Sequence, residues 1–104
     1  MADPKVFWSW SGRSIGYRLS DDLFCFDGRQ LGYFAEGDEV YGCGGDYIGE
    51  VRGIDRLITN VSKKAWKRQK LVPRLLRRSP GHPDVIAKEM LRGYEDFPAI
   101  PAFA

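Results

Sequence analysis

Hydrophobic and polar residues follow the same short pattern three times in the first half of the chain. The copies are SWSGRSIGY at 9–17, CFDGRQLGY at 25–33 and CGGDYIGEV at 43–51. In each copy two apolar stretches flank a turn pair, namely Ser11-Gly12, Asp27-Gly28 and Gly44-Gly45. Such pairs favour the two-residue turn of an antiparallel hairpin, because a type I′ turn needs positive φ at both positions. The pattern predicts an all-β domain over residues 1–60, built from three to four repeated hairpins.

Two-residue turns also fix the expected register of each hairpin. They place Trp8 opposite Ile15, Phe24 opposite Leu31, and Tyr41 opposite Ile48. These aromatic–aliphatic pairs are predicted to face the core. The other face then holds Phe7, Leu23 and Val40 opposite Gly16, Gly32 and Gly49. Because both faces bury apolar groups, we expect the hairpins to pack around a common axis, joined by short acidic links at 20–22, 36–38 and 53–55.

The repeated step of the first half resembles a known family. An aromatic-x-aromatic, Asp-Gly, aliphatic-Gly-Tyr step every 16–17 residues is similar to that of the four-fold beta flower domain, a small bacterial family. The resemblance covers roughly residues 5–60 and implies hairpins around a pseudo-four-fold axis. It implies no site residues, because the family has no established activity. The fourth copy starts at Arg56 and lacks a turn glycine, so it is either a full hairpin or one strand completed by the N-terminus or the tail.

The strand pattern stops after Asn60. Residues 61–104 are predicted to form a basic, proline-containing C-terminal extension that is partly helical. Ser62 is a plausible N-cap for a helix over Lys63–Val72, which would end before Pro73. Asp84 is placed to cap a second short helix over 85–92, followed by Gly93.

Charge divides the chain in the same way. Residues 1–55 carry a net charge of −5 and residues 56–104 carry +7, for a total of +2. A basic run interrupted by tryptophan fits a nucleic-acid surface, because cations follow phosphates while an aromatic ring stacks on a base. The candidate nucleic-acid-binding residues are Lys63, Lys64, Trp66, Lys67, Arg68, Lys70, Arg74, Arg77 and Arg78. Two alternatives are a solvated linker and a clamp of the basic segment on the acidic half of its own molecule.

Signals for catalysis are weak. Gly12-Arg13-Ser14-Ile15-Gly16 matches the G-x-S-x-G nucleophile elbow, but the repeat already explains both glycines and the elbow needs a strand-to-helix turn. His82 is the only histidine, and no second ligand is spaced for a metal. Cys25 and Cys43 occupy different positions of the repeat and are expected to be reduced thiols. We predict no catalytic residues, no metal and no cofactor.

The sequence therefore favours a non-catalytic β-repeat interaction or scaffold module with an unknown protein partner. The alternative is a nucleic-acid-binding accessory protein that uses residues 63–78. No signal peptide, transit peptide or apolar run long enough for a membrane span is visible. We accordingly expect a cytoplasmic protein with no membrane partner.

Overall fold

The computed structural model describes residues 4–98, which form one all-β sheet closed into a barrel. Neighbouring strands are antiparallel in sequence order, and β1 pairs in parallel with β7 through Trp8–Arg56 and Ser9–Leu57, so that seven strands close. The strands are β1 (Lys5–Ser9), β2 (Ser14–Leu19), β3 (Asp22–Cys25), β4 (Gln30–Ala35), β5 (Glu39–Gly42), β6 (Tyr47–Arg52), β7 (Arg56–Asn60) and β8 (Tyr94–Asp96). The outermost parts of the two predicted regions, 1–3 and 99–104, lie outside the described residues.

Three repeated hairpins, β1–β2, β3–β4 and β5–β6, are confirmed, and we call them hairpins 1, 2 and 3. The predicted two-residue turns are wrong. In hairpin 2 the Gly28 N–H donates to the Cys25 carbonyl at 3.0 Å, and the Cys25 N–H donates to the Arg29 carbonyl at 2.9 Å. The tip therefore has three residues, 26–28, and only its glycine has positive φ, at 97°. Tips 10–12 and 43–45 have the same pattern, which is a turn followed by a glycine bulge.

The extra residue at each tip shifts the strand register near the tip and changes which side chains face the core. Phe7–Gly16, Leu23–Gly32 and Val40–Gly49 pair as predicted, but Trp8, Phe24 and Tyr41 pair with Ser14, Gln30 and Tyr47. The predicted core face is confirmed for its aliphatic members, Ile15, Leu31 and Ile48, and wrong for the aromatic ones, because a bulge reverses the alternation of side chains beyond it. Both the Phe7, Leu23, Val40 set and the Ile15, Leu31, Ile48 set contribute to the core, and Phe24 and Tyr41 lie on the outside of the barrel.

The fourth repeat is a strand completed by the tail. Strand β8 pairs antiparallel with β7 beyond the point where β1 leaves it. Phe97, just after β8, is buried in the core with Phe7, Leu23 and Leu57. A Cβ on Gly49 would lie 2.5 Å from the Phe97 ring, so this glycine makes room for the aromatic side chain.

The short acidic links are confirmed. Turns at 20–21 and 53–55 and a 3-10 helix at Glu36–Asp38 join the hairpins at the end opposite the tips. A second 3-10 helix, Val61–Lys63, leads out of β7.

Residues 64–93, which we call the belt, contain no helix. The helices predicted over 63–72 and 85–92 are wrong. The belt is extended and passes the tips in reverse order: the N–H groups of Arg68, Leu76 and Val85 donate to the carbonyls of Gly45, Gly28 and Gly12, each at 2.7 Å. A helix would use these N–H groups internally and advance only about 1.5 Å per residue, whereas extended chain advances about 3.3 Å and reaches from tip to tip.

The belt returns to its starting point. It leaves the barrel after Val61–Lys63, and at its far end the Gly93 carbonyl accepts a hydrogen bond from the Val61 N–H at 3.1 Å. The belt thus encircles the three tips and the end of β7.

Candidate interaction surface

Basic belt side chains lie over aromatic rings on the outside of the barrel. The guanidinium of Arg68 is 5.4 Å from the Tyr41 ring centroid, and that of Arg74 is 5.4 Å from the Phe24 ring centroid. The Lys88 amine is likewise 5.4 Å from the Trp10 ring. The rings that the bulges turn outward are therefore covered by cations of the belt, a favourable contact that also shields apolar surface.

Five of the nine predicted nucleic-acid-binding residues pair with carboxylates of their own molecule. The pairs are Lys63 with Glu39 and Glu50, Lys64 with Glu95, Lys67 with Asp46, Arg68 with Glu36, and Arg74 with Asp22. The Lys67 hydrogen bond lowers the pKa of the Asp46 carboxyl. Four of the five, all except Lys64, pair with carboxylates of residues 1–55 and so have the geometry of the intramolecular clamp.

The first of them, Lys63, is the least exposed. Its Nζ lies 2.9 Å from Glu39 Oε2 and 3.0 Å from Glu50 Oε1. The two carboxylates also accept from tyrosines, Glu39 from Tyr41 at 3.1 Å and Glu50 from Tyr47 at 2.8 Å. The hydrogen bond to Glu39 is the main cause of a raised Lys63 pKa, and burial raises the pKa of Tyr47. The cluster fixes the start of the belt to β5 and β6.

Trp66 is half exposed and is held mainly through its backbone. The Tyr47 N–H donates to the Trp66 carbonyl at 3.0 Å, and the Trp66 ring lies 6.4 Å from the Tyr47 ring. The Lys63 amine is 5.1 Å from the indole centroid. The ring is thus partly occupied by contacts within the molecule.

Lys70, Arg77 and Arg78 differ from the other six residues of the predicted set. All three are exposed, and none has a carboxylate within ion-pair distance among residues 4–98. Lys70 is close enough to Asp46 to contribute to the lowered pKa of that carboxyl. Uncompensated positive charge in the segment is therefore concentrated at Arg77 and Arg78, next to tip 26–28.

A pocket of about 440 Å³ opens where the belt crosses from hairpin 3 to hairpin 2. It is lined by Leu31, Pro73 and Leu75, with Arg29, Gln30 and Arg74. At the next crossing the equivalent belt residue is His82, whose ring packs 5.4 Å from Phe26 and 6.3 Å from Trp8. Pro73 takes the place of His82, and it lines the pocket.

The groups considered for catalysis are only partly brought together. Asp84 accepts the Ser14 backbone N–H at 2.9 Å, so Asp84 and the neighbouring His82 lie beside hairpin 1. Within residues 4–98 no hydrogen bond joins the His82 ring to the Ser14 hydroxyl or to the Asp84 carboxylate. Burial raises the pKa of both Cys25 and Cys43, which disfavours the thiolate. Across the described part of the chain no three His, Cys, Asp or Glu side chains form a metal-binding group.

The belt itself is what sequence analysis missed. Its contacts with the tips are backbone hydrogen bonds, and these place no requirement on the type of residue at each position. The only trace is the spacing of eight and nine residues between Arg68, Leu76 and Val85, and between Leu71, Ser79 and Lys88, whose N–H groups donate to the carbonyls of Cys43, Phe26 and Trp10. These six positions share no residue type that a repeat search could detect.

Comparison with family models, curated proteins and solved structures finds no match for this chain. Among the described residues no helix is long and apolar enough to cross a membrane.

Proposed function

We propose that the protein is a non-catalytic interaction module whose binding surface is the outward side of the belt. One observation carries this proposal: the belt exposes large apolar side chains, with Val72 89%, Leu75 73% and Ile86 86% accessible. Large apolar side chains that stay exposed along one ordered segment are typical of sites that bind another molecule.

The belt is suited to binding because it is already ordered. Hydrogen bonds from Leu71, Leu76 and Ser79 to three tip carbonyls bracket Val72 and Leu75. A partner would therefore meet an extended segment whose conformational entropy has already been lost, which favours affinity.

The test compares a belt variant with an equally exposed control. Val72→Ser with Leu75→Ser removes the apolar groups, and Ile54→Ser removes a side chain that is 80% exposed in the link at the opposite end. We expect cross-linking capture from cell extract to yield a saturable protein partner with the wild type and with Ile54→Ser, and to lose it with the double variant. Capture that is equal for all three proteins would contradict the proposal.

Nucleic-acid binding is the second candidate function. It is supported by the half-exposed Trp66 ring and by the three cations without carboxylate partners, Lys70, Arg77 and Arg78. Fluorescence anisotropy with labelled single-stranded DNA and RNA should then show binding that weakens with salt along a log–log slope. Changing the three cations to Gln should abolish that binding, whereas Arg92→Gln, an exposed cation elsewhere on the belt, should not. No binding at low salt would exclude this candidate.

Membership of the four-fold beta flower family is also a proposal, and it rests on the repeated phrase at 9–17, 25–33 and 43–51. A cytoplasmic location is a separate proposal, which fractionation of expressing cells would test.

A further inference from the structure

The belt pairs with the tip of hairpin 2 through an isolated β-bridge. The Gln30 N–H donates to the Arg74 carbonyl at 3.1 Å, and the Leu76 N–H donates to the Gly28 carbonyl at 2.7 Å, which makes an antiparallel bridge between Leu75 and Arg29. Arg74 and Leu76 thus direct their backbone groups toward the barrel. Because alternate residues of an extended segment use opposite edges, Leu75, which lies between them, directs its N–H and carbonyl away from the barrel.

That outer edge is unoccupied. Neither the N–H nor the carbonyl of Leu75 or Arg77 has a hydrogen-bond partner within the described residues. An unpaired edge of this kind can accept an additional strand from another chain.

The side chains along this edge define what such a strand should carry. Leu75 is exposed and borders the apolar pocket with Leu31 and Pro73. Arg77 and Arg78 follow immediately, exposed and without carboxylate partners in residues 4–98. The edge therefore offers backbone pairing, an apolar recess and two positive charges within about four residues of chain.

We propose that this edge, Leu75–Arg78, binds an extended acidic peptide segment of a partner protein, which adds a strand to the belt and places an apolar side chain in the pocket. The inference rests on the proposed function and specifies its partner. Charge favours an acidic peptide over a basic or neutral one. Backbone pairing favours a peptide over single-stranded nucleic acid. The position of the half-exposed indole of Trp66 also favours a peptide, because Trp66 lies at hairpin 3 and no base could stack on it beside this edge.

The probe is a fluorescein-labelled eight-residue peptide in which glutamate alternates with valine or leucine. We expect saturable binding by fluorescence anisotropy. The same peptide with its four central amides N-methylated cannot pair as a strand and should bind at least about tenfold more weakly. Equal affinity of the two peptides would overturn the inference, since charge alone would then account for binding.

On the protein side, Arg77→Glu with Arg78→Glu should weaken peptide binding by about tenfold or more. The control, Arg92→Glu, should change it less than about twofold. Both variants should retain the wild-type near-ultraviolet circular dichroism spectrum, because none of the three cations has a partner to lose. Equal effects of the two variants, or no saturable binding of the peptide to the wild type, would overturn the inference. So would tighter binding of a single-stranded oligonucleotide that displaces the peptide.

The two proposals fail in different ways. If Val72→Ser with Leu75→Ser abolishes capture of a protein partner but the acidic peptide does not bind, the interaction module stands and the acidic strand is wrong. If the wild type captures no partner that depends on these residues, the proposed function itself is wrong.

Discussion

Each tip glycine meets two requirements at the scale of single residues. Gly28 has φ of 97°, and a Cβ there would lie 2.1 Å from the Leu76 carbonyl oxygen of the belt. Gly12 and Gly45 are in the same position against Val85 and Arg68, at 2.0 and 2.4 Å. The glycine that allows the turn therefore also lets the belt backbone approach closely, because it has no side chain.

Gly28→Ala should lower the free energy of unfolding by about 2–4 kcal/mol, because it adds backbone strain and displaces the belt carbonyl. Gly81→Ala is the matched control: Gly81 is in the belt, has no positive φ, and has no atom within 4 Å of its would-be Cβ. Urea unfolding monitored by tryptophan fluorescence measures both. A loss for Gly81→Ala as large as that for Gly28→Ala would contradict this explanation.

Asp96 makes stability depend on acid pH. Burial would raise the pKa of its carboxyl, but hydrogen bonds from Ser11 and Arg13 outweigh burial and leave the pKa lowered. A carboxyl with a lowered folded-state pKa stabilises the protein above its unfolded pKa of about 3.9 and loses that contribution as pH falls through the folded value. Asp96→Asn should therefore flatten the decrease in urea midpoint as pH falls below about 5. Glu36→Gln, at a side chain that is 94% exposed, should leave the slope unchanged.

At the scale of elements, the ion pairs at the start of the belt and along it contribute to stability according to their burial. Lys63 is 21% exposed and joins Glu39 and Glu50, which are 12% and 15% exposed, whereas Lys67 and Asp46 are mostly exposed. Removing the amine of Lys63 leaves two shielded carboxylates facing each other.

Lys63→Gln should lower the free energy of unfolding by about 1–3 kcal/mol. Lys67→Gln, the exposed counterpart, should change stability little, since solvent already screens its pair. Thermal unfolding of the two variants side by side tests this. Similar shifts in Tm would show that burial does not determine how much each ion pair contributes to stability.

Hairpins were predictable from sequence, but their outward and inward faces were not. Asp27-Gly28 indicates a tight turn whether the loop has two residues or three, so the bulge that moves Phe24 to the outside cannot be predicted from this residue pair.

The belt could not be predicted for a different reason. Runs such as Lys63–Val72 have good helix formers, and backbone bonds to the tips override that weak preference. The exposed cations Arg77 and Arg78 belong to the site predicted from sequence. The pocket was not predicted; it lies where the belt has Pro73 at the position that His82 occupies at the next crossing.

At the scale of the whole molecule, the two oppositely charged halves of the chain are folded onto each other. The acidic half and the basic half of the chain meet at four sets of ion pairs, made by Lys63, Lys67, Arg68 and Arg74. The chain after the belt returns to pair with β7 and to insert Phe97 into the core. Phe97 therefore completes the barrel and holds the end of the belt.

Phe97→Ala should lower the free energy of unfolding by about 3 kcal/mol, because it leaves a cavity opposite Gly49. It should also increase hydrogen exchange at the Val61 amide, which bonds to the Gly93 carbonyl. Ile54→Ala, which removes an exposed side chain, should change stability by less than about 0.5 kcal/mol. Unaltered exchange at Val61 in the Phe97 variant would show that the belt end is held independently of the core.

The encircling belt also sets an order of events in time. Its successive anchors, Gly45, Gly28 and Gly12, belong to hairpins whose relative positions are fixed only when β1 meets β7. An anchor pair such as Gly12 and Val85 is separated by more than seventy residues of sequence, and such contacts form slowly. We therefore expect the seven strands to pair before the belt docks, with the outer rings bare to water for that interval. In pulsed hydrogen exchange during refolding, the amides of Arg68, Leu76 and Val85 should gain protection together, and after those of β3 and β4.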